Sequence, residues 1–286
     1  MEQAVDQASL WAERIWLVRC DPGAELSVSE GIEPAPRRPS DGGEAYVAKS
    51  FVASEKTRRC RPGEIATLSN PAFCGERLPV GIVRIPRPIL TRIADAAEAI
   101  WGDSGTFWTA GDGQKILGDL LAGAGLTLSG PVRSLGPNRR PPGLRSTTFD
   151  KQHGLRIGLH IDSWDASALS NRGGTRNRLC LNLGSSNHYL YLVPLNVTEV
   201  LKHLGRPEDD KAEPDQVVRE FCARHPYTQV LRLGVPPGFA YVAPTDAVIH
   251  DGGAAPSKGA DIILTWLGQF SFTRSDWPLG REEDQP

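Results

Sequence analysis

Gly158-Leu-His-Ile-Asp-Ser-Trp164 is a strand-like run carrying a His-x-Asp pair, and a third candidate ligand, His250, follows ninety residues after His160. In an extended chain, side chains at i and i+2 share a face. His160 and Asp162 therefore project together, while Leu159 and Ile161 project the other way. A neighbouring strand that brought His250 alongside would complete a set of two imidazoles and one carboxylate. Such a set on a single face suits a divalent iron and leaves the opposite coordination positions free.

The pair is followed by short apolar runs separated by turn residues: Arg178–Leu183, Tyr189–Val193, Val230–Leu233, Phe239–Val242, Ala247–Ile249 leading into His250, and Asp261–Leu267. Several short strands at this spacing read as a β-sandwich or barrel. With the His160-x-Asp162 pair at the start of this series and His250 near its end, residues 140–272 resemble the Fe(II)/2-oxoglutarate-dependent oxygenase superfamily. The resemblance implies a mainly β fold with flanking helices around a double-stranded β-helix (jelly roll, cupin-like) core. It also implies Fe(II), the cosubstrate 2-oxoglutarate and O2, with His160, Asp162 and His250 as metal ligands and catalytic centre. In that superfamily, loss of the carboxylate ligand opens a halide site; Asp162 is intact, which favours hydroxylation.

The chain departs from the superfamily at the cosubstrate anchor. A cation eight to fourteen residues past the second histidine usually grips the far carboxylate, a task a guanidinium performs with two parallel hydrogen bonds. Here the only cation between His250 and Arg274 is Lys258. The alternative is Arg178, with Asn182 on the same strand face, and Arg178 is preferred over Lys258. Candidate substrate contacts are Arg145, entering the core just before the metal pair, Trp164, and Tyr191, which shares a strand face with Tyr189. Asp251 reads either as a support for a ligand imidazole or as a turn residue, and His153, His188, His203 and His225 as structural or exposed.

The 286 residues supply ample material for a core, and 32 basic against 34 acidic side chains give a formal net charge of −2. No overall field of one sign attracts nucleic acid or an anionic membrane, which favours a small-molecule or peptide substrate. Without an apolar run long enough to span a bilayer or a basic-then-apolar leader, the expected location is cytoplasmic. Five widely spaced cysteines, none in a C-x-x-C pair, imply neither a disulfide framework nor a zinc knuckle.

The expected organisation is a single oxygenase domain over 1–286. An α/β elaboration covers 1–139, the jelly-roll core 140–272, a helical insert 195–226 within it, and a tail 273–286. Residues 4–18 have nearly helical apolar spacing, Glu44–Ala48 and Val80–Ile85 look strand-like, and Pro88–Gly102 and Gln114–Ala122 read as amphipathic helices. The cluster Arg58, Arg59 and Arg61 reads as solvated surface. The insert packs, covers the barrel mouth or makes a dimer contact; packing is the default. Two other readings stand beside the oxygenase: a cupin-like metalloenzyme that does not use 2-oxoglutarate, and a non-catalytic jelly-roll binding protein.

Overall fold

The computed structural model describes residues 15–21, 23–37, 45–70, 78–102, 110–257 and 259–273. The N-terminal part contains β1 (Ile15–Cys20), β2 (Glu25–Ser29), β3 (Ile32–Pro34), β4 (Phe51–Ala53), β5 (Thr57–Arg59), α1 (Pro62–Leu68), β6 (Leu78–Arg84), α2 (Arg87–Gly102) and α3 (Ala110–Ala124). There follow β7 (Leu126–Arg140), β8 (Phe149–Asp150), β9 (Leu155–Arg156), β10 (Asn177–Asn182), β11 (His188–Asn196), α4 (Val197–His203) and α5 (Pro214–Arg224). The chain then forms β12 (Val230–Val235), β13 (Phe239–Ala243), β14 (Val248–Ala254) and β15 (Asp261–Phe272).

Two sheets face each other, ordered β1-β6-β13-β10-β15-β7 and β14-β11-β12-β2-β5. From β10 onward the chain passes between them: β10, β13 and β15 lie in the first, β11, β12 and β14 in the second. Residues around His160 extend the second sheet past β14 through a bridge between His160 and His250. Strand spacing implied a β-sandwich or barrel, and this arrangement is the jelly roll that the resemblance implied. The N-terminal strands widen it, β1 and β6 at one edge of the first sheet and β2 and β5 at one edge of the second.

Alternation along the strands sorts the side chains into three layers. Between the sheets, Leu190, Leu192, Leu231, Leu233 and Val248 meet Val80, Ile82, Cys180, Tyr241 and Ile263. The outer face of the first sheet, with Leu179, Leu181, Leu264 and Trp266, is covered by Ile93 of α2 and Ile116, Leu117 and Leu120 of α3. The outer face of the second, with Val193, Leu195 and Ile249, is covered by Val200 and Leu201 of α4 and Val217, Val218 and Phe221 of α5. The insert is thus packing on a sheet face. Among the described residues no helix is long and apolar enough to cross a membrane.

The N-terminal reading needs correction. Residues 4–14 lie outside the described residues, and Ile15–Cys20 is a strand that pairs in parallel with β6. The run Ile15-Trp-Leu-Val18 is buried throughout, and a short continuous apolar run fits a central strand as well as a helix face. Pairing with β6 decides between them. Of Glu44–Ala48, Glu44 lies outside the described residues and Tyr46 makes an isolated bridge to Arg156, not a strand. Arg58, in the basic cluster, forms a two-point ion pair with Glu64 at 2.6 and 2.8 Å that braces the start of α1.

Phe221 is 1 % exposed and lies in the layer that joins α5 to the second sheet. Phe221→Ala is expected to lower unfolding free energy by about 3–5 kcal/mol in a denaturant titration. A loss below about 1 kcal/mol would show that the insert is a loosely attached flap.

Candidate metal centre

The site is built on a backbone pairing. His160 N–H donates to His250 O at 2.9 Å and His250 N–H donates back to His160 O at 2.8 Å. Residues directly opposite in an antiparallel pair point their Cβ atoms to one face. The two imidazoles therefore rise together, with ring centroids 4.3 Å apart. Asp162, two residues beyond His160, joins them; its own N–H is held by Thr245 O at 3.1 Å. One ligand atom from each of the three lies within 4.8 Å of the others, and all three residues are buried.

Each ring is oriented by the carbonyl two residues before it. His160 Nδ1 donates to Gly158 O at 2.7 Å and His250 Nδ1 to Val248 O at 3.2 Å. This points the Nε2 atom of each ring toward Asp162, at 3.5 Å from Oδ1 for His160 and 3.6 Å from Oδ2 for His250. Both Nε2 atoms are buried and lack a hydrogen-bond partner among the described residues. Gly158 is required here: its φ is +78°, and a Cβ would collide with Phe51 O.

Electrostatics keep the set ready for a cation. Burial would raise the Asp162 carboxyl, but the Arg178 guanidinium and the imidazoles overcome it and hold the group well below the usual carboxylate range. Burial, reinforced by the neighbouring His160, pushes His250 down to about 3, so its ring is neutral at ordinary pH. Burial opposes charge on His160 too, but Asp162 raises that imidazole above its ordinary value, so a cation binding there displaces the proton that Asp162 favours. Arg178 Nη2 lies 2.6 Å from Asp162 Oδ2. A neutral imidazole and an ionised carboxylate are the forms that bind metal.

The expected site residues divide clearly. Arg178 faces the barrel interior, but its guanidinium is engaged with the carboxylate of Asp162. Asn182 is committed to structure and does not serve as a cosubstrate contact: its amide donates to Ser186 O and Val235 O at 2.8 and 2.7 Å and accepts from Gly184 N–H. Lys258 lies outside the described residues. Arg145 turns away from the cavity to Glu33, Glu55 and Ala53 O, because its neighbours Leu144 and Ser146 take the inward face. Tyr191 sits opposite Asp251 on β14, on the outer face with Tyr189, while Leu190 and Leu192 point inward. Trp164 stands at the cavity wall, 37 % exposed, its ring 5.7 Å from the Arg133 guanidinium and 5.9 Å from that of Arg178. Asp251 lies on the face opposite His250 and accepts from Gly252 N–H at 2.8 Å.

Three further residues shape the site. Arg172 is buried and donates to Asp162 O, to Ser163 Oγ at 2.9 Å and to Asp246 O at 3.4 Å, tying the ligand loop to the turn before β14. Asp246 is 2 % exposed. His188, expected to be structural or exposed, lines the cavity. Its Nδ1 is 3.1 Å from Asp261 Oδ1, its ring stacks on Tyr241, and its Nε2 edge faces Gly252. Reading β11 from His188 would have found it, since it shares a face with Leu190 and Leu192. The cavity, about 550 Å³, runs from His250 along Cys180, Tyr241, Thr265 and His188.

No family model matches the chain, and no curated protein does. Among solved structures it is similar to the Kdo hydroxylase KdoO, described as a non-heme Fe(II) alphaketoglutarate dependent dioxygenase, in complex with cobalt(II). Identity is 14 %, 67 % of this chain and 80 % of that chain are covered, and the TM-score is 0.35. It is also similar to EctD from S. alaskensis with 2-oxoglutarate and 5-hydroxyectoine, at 13 % identity, 83 % of each chain and a TM-score of 0.37.

Burial, together with the charge of Asp162, raises the Asp246 carboxyl from 3.8 to about 6. An acid raised on folding is destabilising once ionised. The penalty is absent below the unfolded value, grows as pH rises from the unfolded to the folded value, and is complete above the latter. Asp246→Asn is therefore expected to gain about 1–2 kcal/mol in metal-free protein at pH 8, after discounting for solvent, and close to nothing at pH 4. Urea titrations at the two pH values measure it; an equal gain at both would exclude the ionisation as cause.

Proposed function

We propose that this chain is an Fe(II)- and 2-oxoglutarate-dependent oxygenase that hydroxylates an unactivated C–H of an amino acid, a peptide or a specialised metabolite. The observation that carries the reading is the pair of buried, unpartnered Nε2 atoms of His160 and His250, aimed at an ionised Asp162. A buried polar atom left unsatisfied costs about 1–3 kcal/mol, and a cation bound in this cradle removes that cost. Two imidazoles and one carboxylate on one face are the donor set of a non-haem iron site with open positions.

When bound, Fe(II) with 2-oxoglutarate and O2 supplies the oxidation of the substrate C–H, with decarboxylation of the oxoacid. The chain supplies position and environment. Gly158 O and Val248 O hold the two imidazoles in one tautomer, and Arg178 keeps Asp162 ionised. Arg172 fixes the loop that carries Asp162. Residues that would hold the oxoacid are Arg178 beside the ligand set and Tyr241, Thr265 and His188 along the interior wall. The cavity excludes bulk water on the barrel side, where Cys180, Tyr241 and Ile263 pack.

A second reading, a metalloenzyme of the same fold that does not use 2-oxoglutarate, has one observation in its favour. At the end of the cavity away from His250 stands the His188–Asp261 pair, and Asp261 supplies a carboxylate where an oxoacid anchor would supply a cation.

Anaerobic titration with Fe(II) and 2-oxoglutarate decides between these readings. The expected result is the weak visible absorption of a chelated Fe(II)–keto acid complex, and its loss in Asp162→Ala with more than about tenfold weaker iron binding. Iron uptake without the band would select the second reading. Absence of iron uptake would leave a jelly-roll binding protein.

A further inference from the structure

We infer that the substrate of this site is a small organic anion, carrying a carboxylate or phosphate that Arg133, Arg139 and Lys151 receive at the cavity wall. The inference rests on the proposed oxygenase reading for the word substrate; the anion site itself rests on charge and geometry.

Six cationic side chains line the cavity, Arg133, Arg139, Arg140, Lys151, Arg156 and Arg178, against a single carboxylate, Asp261, which the His188 imidazole already engages. The whole chain carries a formal net charge of −2, so the excess is local to this concavity. Several arginines outside the cavity are paired with carboxylates. Arg58 pairs with Glu64, Arg145 with Glu33, Arg206 with Glu220 and Arg232 with Glu25. Among the described residues, Arg133, Arg139 and Lys151 have no carboxylate partner.

Arg133, Arg139 and Lys151 are exposed, and uncompensated cations along a concave wall focus a positive potential into it. A guanidinium is less strongly hydrated than an ammonium and offers parallel donors, so it binds carboxylate or phosphate with geometric specificity. Arg133 is further held by its contact with the Trp164 ring, which presents an apolar edge beside the charges. Arginine on an edge strand such as β7 also deters strand addition. That role requires only exposure, whereas these side chains line the same cavity as His250. The Arg178 charge is balanced by Asp162, so Arg133 and Arg139 of β7 and Lys151 of the β8–β9 turn are the ones left for a ligand.

The test uses the full chain loaded anaerobically with Fe(II) and 2-oxoglutarate, titrated calorimetrically with inorganic phosphate, with tricarballylate and with glycerol. At least one anion should bind, more weakly as NaCl is raised, while glycerol does not. Arg133→Gln/Arg139→Gln should weaken that binding at least about tenfold, with an unchanged thermal midpoint; Lys151→Gln, in an exposed turn, gives an independent second variant. Phosphate binding alone points to a phosphoester substrate and tricarballylate alone to a polycarboxylate, and either supports the inference. It is overturned if neither anion binds, if the double variant binds equally, or if an anion binds only by erasing the keto acid band and so occupies the cosubstrate position. The band is read before any anion is added. Its absence then counts against the oxygenase reading, and failure of anion binding with the band present counts against this inference alone.

Discussion

The reciprocal backbone hydrogen bonds between His160 and His250 are the constraint on which the site depends. They join the stretch before β10 to β14, two segments far apart in sequence, and set them in a register where both imidazoles face inward. Strand periodicity makes this an all-or-none arrangement, because a slip of one residue would put Leu159 or Ile161 inward and both ligands outward. That register is secured from the far side, where Leu159, Ile161 and Ile249 pack with Phe221 and Val200 of the helical insert. The packing that stabilises the second sheet therefore also fixes the metal ligands.

The Arg178–Asp162 pair shows how the interior tolerates charge. Desolvating two ions costs several kcal/mol each, repaid only by close geometry and further hydrogen bonds. Asp162 obtains these from Arg178 at its side chain and from Arg172 at its carbonyl oxygen. The same pairing leaves His160 and His250 without a competing donor. Satisfying those imidazoles through Nδ1 alone, from carbonyls two residues back, leaves both Nε2 lone pairs exposed to a bound ion.

Much of this was legible from residue order. The His-x-Asp spacing placed two ligands on one face, and the succession of short apolar runs after it pointed to a β-sandwich or barrel, which the family resemblance narrowed to a jelly roll. Helices α2 and α3 followed from apolar residues at intervals of three and four. What escaped reading depended on partners distant in sequence. Ile15–Val18 fits helix or strand until β6 pairs with it. Asn182 shares a face with Arg178, yet the carbonyls of Ser186 and Val235 claim its amide. Arg145 was misassigned because Glu33, more than a hundred residues earlier, is brought beside it by the β3–β4 hairpin. Arg172 and Asp246 gave no sequence signal at all; their importance arises from a turn that closes around the Asp162 carbonyl.

Near-neutral overall charge was a poor guide to the cavity, and the reason is structural. Carboxylates and cations are mixed along the sequence, but folding pairs many of them with each other away from the cavity, as with Arg145 and Glu33 or Arg206 and Glu220. Among the described residues β7 is an edge strand paired with β15 alone, whose single acidic residue, Asp261, lies opposite Arg140. Arg133 and Arg139 on it line the cavity and have no carboxylate partner among the described residues. A sum over the chain averages this away, whereas a ligand meets only the wall in front of it. The local field is thus a product of topology, set by which strand lies at the open edge and not by how many charges the chain carries.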